Sequence, residues 1–523
     1  MNRRSFLTRL VRPGEAASGA PSEPARPLAS GLEPYVPSAS EPWDAIHAAH
    51  LLRRCTYHPR WADVATVLAL TPSVAVDLLL DTPSLPADSS VADNGTESLD
   101  GLDITLRSQL QAQWTSDAGA LASWHLDVMR TAGLTIAEKM TAFWSNHFAI
   151  EFASEENYVI APLLFRQNKL FRETGLGSFR ELMVNVTLDG AMLVYLGGNK
   201  NVAGHPNENF GREMLELYTT GLGHYTEGDI HEAARILTGW RVAQFTDEPA
   251  PNGLFIPYFV PAAHDIDAKQ FMGVSFPARD ASTNTEFIVR RDEVRRLVET
   301  IFAKRAAAIA EFICRKLYRW FVYSNPTGGD NGVISAMASL LVERNFEIRP
   351  VMAALLKSQH FFDNANIGAQ IKTPLEFEIG LARQLDATRN YLNDAGRMGQ
   401  WLFAPPNVGG WPGWHDWITT TTFPVRAEVA AAVITQASDD SILEFIRQFP
   451  GFEIAETLVP SAAAILLPRA LSPERKNNLL LKLVPSGSFY EWRDMVTNSP
   501  STAARNMREM LLTITQLPDF QLC

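Results

Sequence analysis

Between positions 206 and 240 the apolar residues recur at helical intervals, stop at two glycines and start again. At about 100° per residue, Phe210, Met214, Leu217 and Tyr218 fall within one arc, the stripe of a helix facing a core. Pro206 suits the first turn of that helix, where its missing N–H leaves no bond unmade. Gly221 and Gly223 then stop it, because glycine accepts the left-handed conformation that ends a helix. Thr226 and Asp229 have the spacing of a capping box, so a second helix starts there, with Ile230, Ala233, Ala234 and Leu237 on its apolar face. A chain with this pattern must pack the two apolar faces against one core, as a helical hairpin.

The polar faces carry charge in rows. Glu208, Arg212 and Glu216 stand at successive i, i+4 positions with Asn209 and Glu213 beside them, and Glu227, His231 and Arg235 repeat the spacing on the second helix. One reading is a set of acid/base groups: a carboxylate near arginine stays ionised, whereas one pushed into an apolar pocket is raised and serves as a general acid. On that reading Glu208, Glu213 and Glu216 are the candidate catalytic groups, with Arg212 and His231 beside them. The plainer reading is ion pairs on a solvated face, which contribute little. Asp189, Asn207 and Asn209 offer a weak all-oxygen set for a hard cation, without the spacing of a known calcium loop.

The same helical spacing recurs through most of the chain. It begins near Trp43 and Leu51–Leu52, continues from Ile104 to Leu196, and resumes at 293–323, 332–344, 350–359 and 373–385. Thr135 and Glu138 form another capping-box signature ahead of Ile136, Met140, Phe143 and Trp144. The pattern breaks at 252–276, where Leu254–Val260 reads as a strand and Phe271–Phe276 as its partner. An acidic loop spans 86–101, and a loop rich in Trp, Pro and Gly spans 403–422. The expectation is a mainly α fold: a disordered tail over 1–40, then one large multi-helix domain over 41–523 with a small β-hairpin excursion near 252–276.

Charge and cysteine content narrow the class. With 46 basic and 58 acidic residues the net charge is −12, which argues against a nucleic-acid surface. No apolar run is long enough for a transmembrane helix. Cys55, Cys314 and Cys523 do not make a disulfide framework; Cys55 and Cys314 read as buried free thiols, with a single bridge between them as the alternative. Asn2-Arg3-Arg4-Ser5-Phe6-Leu7 resembles a twin-arginine export motif, but the apolar segment such a signal needs does not follow it. Location is therefore left between the periplasm or cell envelope, if the chain is exported, and the cytoplasm.

Two further sets of residues carry chemistry. His147 continues the stripe of Ile136, Met140, Phe143 and Trp144 and so points inward, either as a hydrogen-bonded core histidine or as a ligand or general base lying against the hairpin. Trp411 and Trp414, with Asn407, sit among glycines and form a candidate platform for a flat or apolar ligand, against the alternative of a loop that plugs the core. No zinc-protease motif, serine-hydrolase elbow, phosphate loop or dinucleotide fingerprint is present, so the cofactor stays unknown.

Several of these landmarks occur together in one family. His50-Leu51-Leu52-Arg53-Arg54, Phe143-Trp144-Ser145-Asn146-His147-Phe148, Pro206-Asn207-Glu208-Asn209, Arg212-Glu213-Met214-Leu215-Glu216-Leu217, Tyr225-Thr226-Glu227 and Leu237-Thr238-Gly239-Trp240 come in order. His264-Asp265, Lys269 with Phe271 and Gly273, Phe312-Ile313-Cys314-Arg315-Lys316-Leu317, Pro405-Pro406-Asn407-Val408 and Gly410-Trp411-Pro412-Gly413 complete the set. In these the chain resembles the bacterial proteins called domain of unknown function 1800, from about residue 43 to the end. The resemblance implies a largely helical fold, frequent export, and a protein partner resembling sulfatases and alkaline phosphatases; it carries no substrate or catalytic residue. The chain departs from the family at its N-terminus and at Gly211, where alanine is expected and glycine slightly weakens the helix.

Two functions follow as expectations. The first is a binding or assembly partner in the cell envelope, with the charged rows as an interface. The second is an envelope-associated hydrolase or lyase using carboxylate acid/base chemistry on the hairpin, with His147 and Arg212 as positioning groups. A shared pocket of Glu208, Glu213, His147 and the tryptophan loop would favour the second.

Overall fold

The computed structural model describes all residues except 1–30, 58, 82–84, 94–97, 99, 153–157 and 388. The export-like motif and most of the predicted tail lie outside the described residues, as does part of the acidic loop. The last part of the predicted tail is ordered, contrary to expectation. Pro34 bridges Ser358, the Tyr35 amide donates to the Lys357 carbonyl at 2.8 Å, and the buried Tyr35 ring stacks on Phe362 at 4.4 Å. An aromatic side chain with an apolar slot to fill offsets the entropy of fixing a few residues, which composition alone does not register.

The fold is mainly α. One connected core of buried apolar side chains runs from Tyr35 to Phe520. The helices around the site are α1 (Ala45–Cys55), α2 (Ile104–Thr131), α3 (Ala137–His147), α4 (Ala161–Thr174), α5 (Gly190–Tyr195), α6 (Glu208–Glu213), α7 (Glu227–Ile236), α8 (Arg296–Phe321), α9 (Pro374–Leu385) and α10 (Tyr391–Arg397). The three cysteines are free and buried.

Helices α6 and α7 of the 206–240 stretch both form and pack on each other, with two departures from the expectation. Pro206, expected in the first turn, lies ahead of the first helix, which starts at Glu208 behind an Asn207 N-cap whose side chain accepts from the Asn209 amide. It then widens into a π turn over Met214–Thr219. The second helix begins at the predicted capping box of Thr226 and Asp229. The box expected at Thr135 and Glu138 does not form: α3 has no side-chain cap, because the Glu138 carboxylate turns inward to Arg172 at 2.7 Å. A buried ion pair outcompetes a cap that water could replace.

The β excursion exists, but its pairing differs from the prediction. Strand β2 (Pro257–Phe259) pairs antiparallel with β1 (Trp240–Val242), in register Trp240 to Phe259. Strand β3 (Lys269–Phe271) pairs with β4 (Val274–Phe276) through Met272 and Gly273, both at positive φ. That two-residue turn closes the second ribbon on itself, so it is not free to join the first.

Candidate functional site

The site is built where α3 ends against the π turn. In a π turn the N–H groups reach five residues back, and at a helix end the last carbonyls have no donor in the helix. Thr219 Oγ1 donates to the Met214 carbonyl at 2.7 Å, and the Thr220 amide and hydroxyl both donate to the Leu215 carbonyl at 2.9 Å. The carbonyls of Leu217 and Tyr218 are met from other helices. His147, on the last turn of α3, donates from Nε2 to Tyr218 O at 3.0 Å. Lys316, on α8, donates from Nζ to Leu217 O at 3.2 Å. The same Nζ lies 2.9 Å from His147 Nδ1.

These partners settle the histidine's state. Nε2 faces only a carbonyl and must carry the proton, so Nδ1 is the acceptor for the lysine. Burial first, then the Lys316 charge, hold His147 well below its usual pKa, against the opposing pull of the Tyr218 carbonyl. Lys316 is pushed down to about 7, by burial and then by the neighbouring Arg319 charge. A neutral imidazole and an amine close to neutrality thus share one hydrogen bond.

The tryptophan loop closes over them. Asn146 Oδ1 accepts the Trp411 amide at 2.7 Å. At Gly410, with φ near +81°, a Cβ would lie 2.3 Å from Asn146 Oδ1 and 2.4 Å from the Asn146 carbonyl oxygen, so only glycine lets the loop reach the helix end. Asn407 shapes the same turn: its Oδ1 accepts the Gly409 amide at 2.8 Å, and its carbonyl accepts Gly410 at 3.0 Å. Its carboxamide oxygen is thereby spent on the loop itself. Trp414, at φ +54°, stacks on His415 with centroids 3.8 Å apart.

Together these elements enclose a cavity of ≈ 110 Å³, lined by Asn146, His147, Lys316, Arg319, Glu376 and the rings of Trp411, Trp414 and Trp417, with further apolar and backbone contributions. It reaches the surface beside the exposed Pro412. Arg319 donates through Nε to the Ser324 carbonyl at 2.9 Å. Glu376, at the first turn of α9, takes the ammonium of Lys139 and the Thr373 amide. Burial alone would raise its pKa; Lys139 and Arg54 outweigh that and keep it low.

The cavity does not take in the hairpin carboxylates. Glu208 pairs on the surface with His231 at 3.2 Å, and Arg212 pairs with Glu227 at 2.7 Å. Glu216, expected on that outer row, is buried and accepts from the Tyr225 hydroxyl at 2.5 Å; Glu213, expected beside the row, is 1 % exposed. The π turn rotates everything after Glu213 away from a simple i, i+4 row. The hairpin meets His147 and Lys316 through the carbonyls of Leu217 and Tyr218 and through the edge of the Tyr218 ring, 6.1 Å from the His147 ring.

The weak cation set is also separated. Asp189 caps the N-terminus of α5, accepting from Met192 and Gln167 at 3.0 Å, and burial raises its carboxyl to about 7. Asn207 donates to Leu196 and Gly197 beyond the other end of α5, and Asn209 is exposed. Among the described residues no group of three or more His, Cys, Asp or Glu is gathered to hold a metal.

Behind Trp411 lies a second, much smaller cavity of ≈ 30 Å³ beside His125. There His125 Nε2 meets Glu138 at 3.2 Å, Arg172 holds both Glu138 oxygens at 2.7 and 2.9 Å, and Asn168 closes the ring. Sequence reasoning singled out His147 and the tryptophans but not Asn146, Lys316, Arg319 or Glu376 as site residues. The available signal was that Asn146 and Lys316 lie inside two of the ordered motifs.

The docking of Gly410-Trp411 on Asn146, and of Lys316 on the neighbouring His147, joins three motifs from distant parts of the chain. The model of the family described as Protein of unknown function (DUF1800) matches residues 50–522. The chain belongs to this family. No curated protein and no solved structure matches it. DUF1800 membership covers every element of the cavity, from α3 to the tryptophan loop.

Proposed function

We propose that this DUF1800 protein binds a small anionic ligand in the cavity between His147, Lys316, Arg319 and the tryptophan loop. The observation that carries this is the excess of buried positive charge behind the cavity wall. Arg53, Arg54, Lys139, Lys372 and Arg426 are all at most 3 % exposed, in a chain with a net charge of −12. Lys139, Arg54, Lys372 and Arg426 gather about the Glu376 carboxylate, and Cys523 is a second favourable neighbour of Arg53, Lys372 and Arg426: Lys139 pairs with Glu376, Arg54 donates to the carbonyl of Trp320 on the cavity wall, and Arg426 donates to that of Trp417. Burial is the main cause that lowers Lys372 to about 7 and Arg53 and Arg426 to about 10. An anion seated here offsets that cost, and one unit pair at about 4 Å is worth roughly 4 kcal/mol at an effective dielectric near 20. Trp411 and Trp414 supply the aromatic wall for the apolar part of the ligand.

This favours a binding role over a hydrolase or lyase working through Glu208, Glu213 and Glu216, since those groups are paired or buried outside the cavity. A place in the cell envelope, and a partner resembling sulfatases or alkaline phosphatases, are further proposals that rest on the family resemblance. Titration calorimetry with phosphate, sulfate and benzoate tests the anion site. The expected result is binding by the wild type that is weakened at least about tenfold, or 1.4 kcal/mol, in Arg319→Gln. Affinity unchanged in that variant, or no binding of any of the three, overturns the proposal.

A further inference from the structure

Lys316 has a bonding pattern that the anion site does not use. Nζ has two hydrogen-bond acceptors around it, His147 Nδ1 at 2.9 Å and Leu217 O at 3.2 Å. A neutral amine has two hydrogens and one lone pair. With both hydrogens given to these acceptors, the lone pair is left for a third direction. The described surroundings supply a cavity there, and the Phe312 ring centroid lies 4.7 Å from Nζ on another side. The charged groups that face this amine are Arg319 on its own helix and His147, held neutral, on α3; Glu376 across the cavity is already paired with Lys139. Arg319 opposes protonation of the amine, and burial does so more strongly, bringing it to about 7. A substantial fraction is therefore the free base near neutral pH.

We propose that Lys316 captures the carbonyl carbon of a small 2-oxo acid as an imine, with Arg319 as the counter-charge to the ligand carboxylate and Trp411 and Trp414 as its walls. This deepens the anion-binding reading and rests on it. The amine lone pair forms the C–N bond while the carbonyl pair moves to oxygen. The proton lost by nitrogen passes to that oxygen, giving a neutral carbinolamine. Expulsion of the hydroxyl with one further proton from nitrogen releases water and leaves the C=N bond. Atoms and charge balance without an oxidant or reductant. Desolvation of the amine and the fixed acceptors hold the nucleophile in place, which is how a lysine becomes reactive at neutral pH.

The test uses the full chain with pyruvate and borohydride, followed by peptide mass mapping, alongside calorimetric titration of pyruvate without borohydride. The expected result is a reduced pyruvyl adduct on Lys316, about tenfold or more above that on the exposed Lys304 and Lys482. Excess sulfate suppresses it. Lys316→Arg, which keeps a donor to Leu217, gives no adduct at that position, and Lys304→Arg, outside the cavity, leaves the Lys316 adduct at its wild-type level. If wild type binds pyruvate but Lys316 is labelled no more than Lys304 and Lys482, the imine is overturned and the anion site stands. If pyruvate, phosphate and sulfate all fail to bind and no adduct forms, both fall.

Discussion

At Gly410 one missing methyl group decides whether the cavity exists. Its φ of +81° and the 2.4 Å separation of a built Cβ from the Asn146 carbonyl act together. Gly273 has a similar φ of +75° with open space around it. Gly273→Ala therefore measures backbone strain alone, about 1–2 kcal/mol. Gly410→Ala should lose clearly more than that in denaturant unfolding, and should also weaken anion binding. Equal losses in the two variants would show that the loop does not depend on close approach to α3.

A second residue sets a pH dependence. Glu378, on α9, is 1 % exposed and faces Asp394 on α10. Burial first, then the Asp394 charge, raise its carboxyl from near 4.5 to about 10. A raised carboxyl favours the folded state when protonated. That stability is complete below the ordinary carboxylate pKa and declines as pH rises towards 10. Glu378→Gln, which keeps the neutral shape, should gain at least about 1 kcal/mol over wild type near pH 8 and little near pH 4. Thermal melts at the two pH values check this, and a variant that loses stability at both contradicts it. Sequence reasoning could find His147 because helical spacing makes it inward-facing. It could not find Lys316 or Arg319 as a pair with it, since their partners lie more than a hundred positions away.

At the scale of elements the hairpin shows how far periodicity reaches. Its two apolar stripes, its stop at Gly221 and Gly223 and its restart at Thr226 were legible, because each is a local matter of spacing and capping. The π turn at Met214–Thr219 was not, because an extra residue in a turn is selected by what the freed carbonyls meet. The same limit explains Gly211. Propensity alone says glycine weakens α6, but a Cβ there would lie 3.0 Å from Ile230 O and 3.3 Å from Ala233 Cβ on α7. Gly211→Ala gains about 1 kcal/mol of helix propensity and meets an overpacking cost of about 1–3 kcal/mol. A net loss of about 1 kcal/mol in chemical denaturation is expected; a gain would mean that α6 and α7 part easily.

Across the whole molecule, charge is arranged opposite to its average. The chain is acidic overall, yet the groups gathered behind the cavity are basic, and burial has depressed Lys372, Arg53 and Arg426. A ligand that binds only the folded state stabilises it by RT ln(1 + [L]/Kd), about 2.7 kcal/mol at a hundredfold excess. Phosphate or sulfate at that excess should raise the melting temperature of wild type and leave Arg319→Gln nearly unmoved, after correction for chloride at equal ionic strength. Equal shifts in both proteins would assign the effect to general salt.

The sequence by itself determined the helical class, the hairpin, the capping residues after the glycine turn and the family, because these depend on order and spacing along a few turns. It also placed His147 inward and set Trp411 and Trp414 among glycines. Only the tertiary structure decided that Glu208 with His231 and Arg212 with Glu227 are surface pairs, that Glu213 and Glu216 are buried, and that Lys316 and Arg319 join His147 beneath the tryptophan loop. The reason is physical. Burial and charge pairing are properties of what packs across the core, and a π turn, a glycine contact and a depressed lysine are all set by partners that lie far away in the chain.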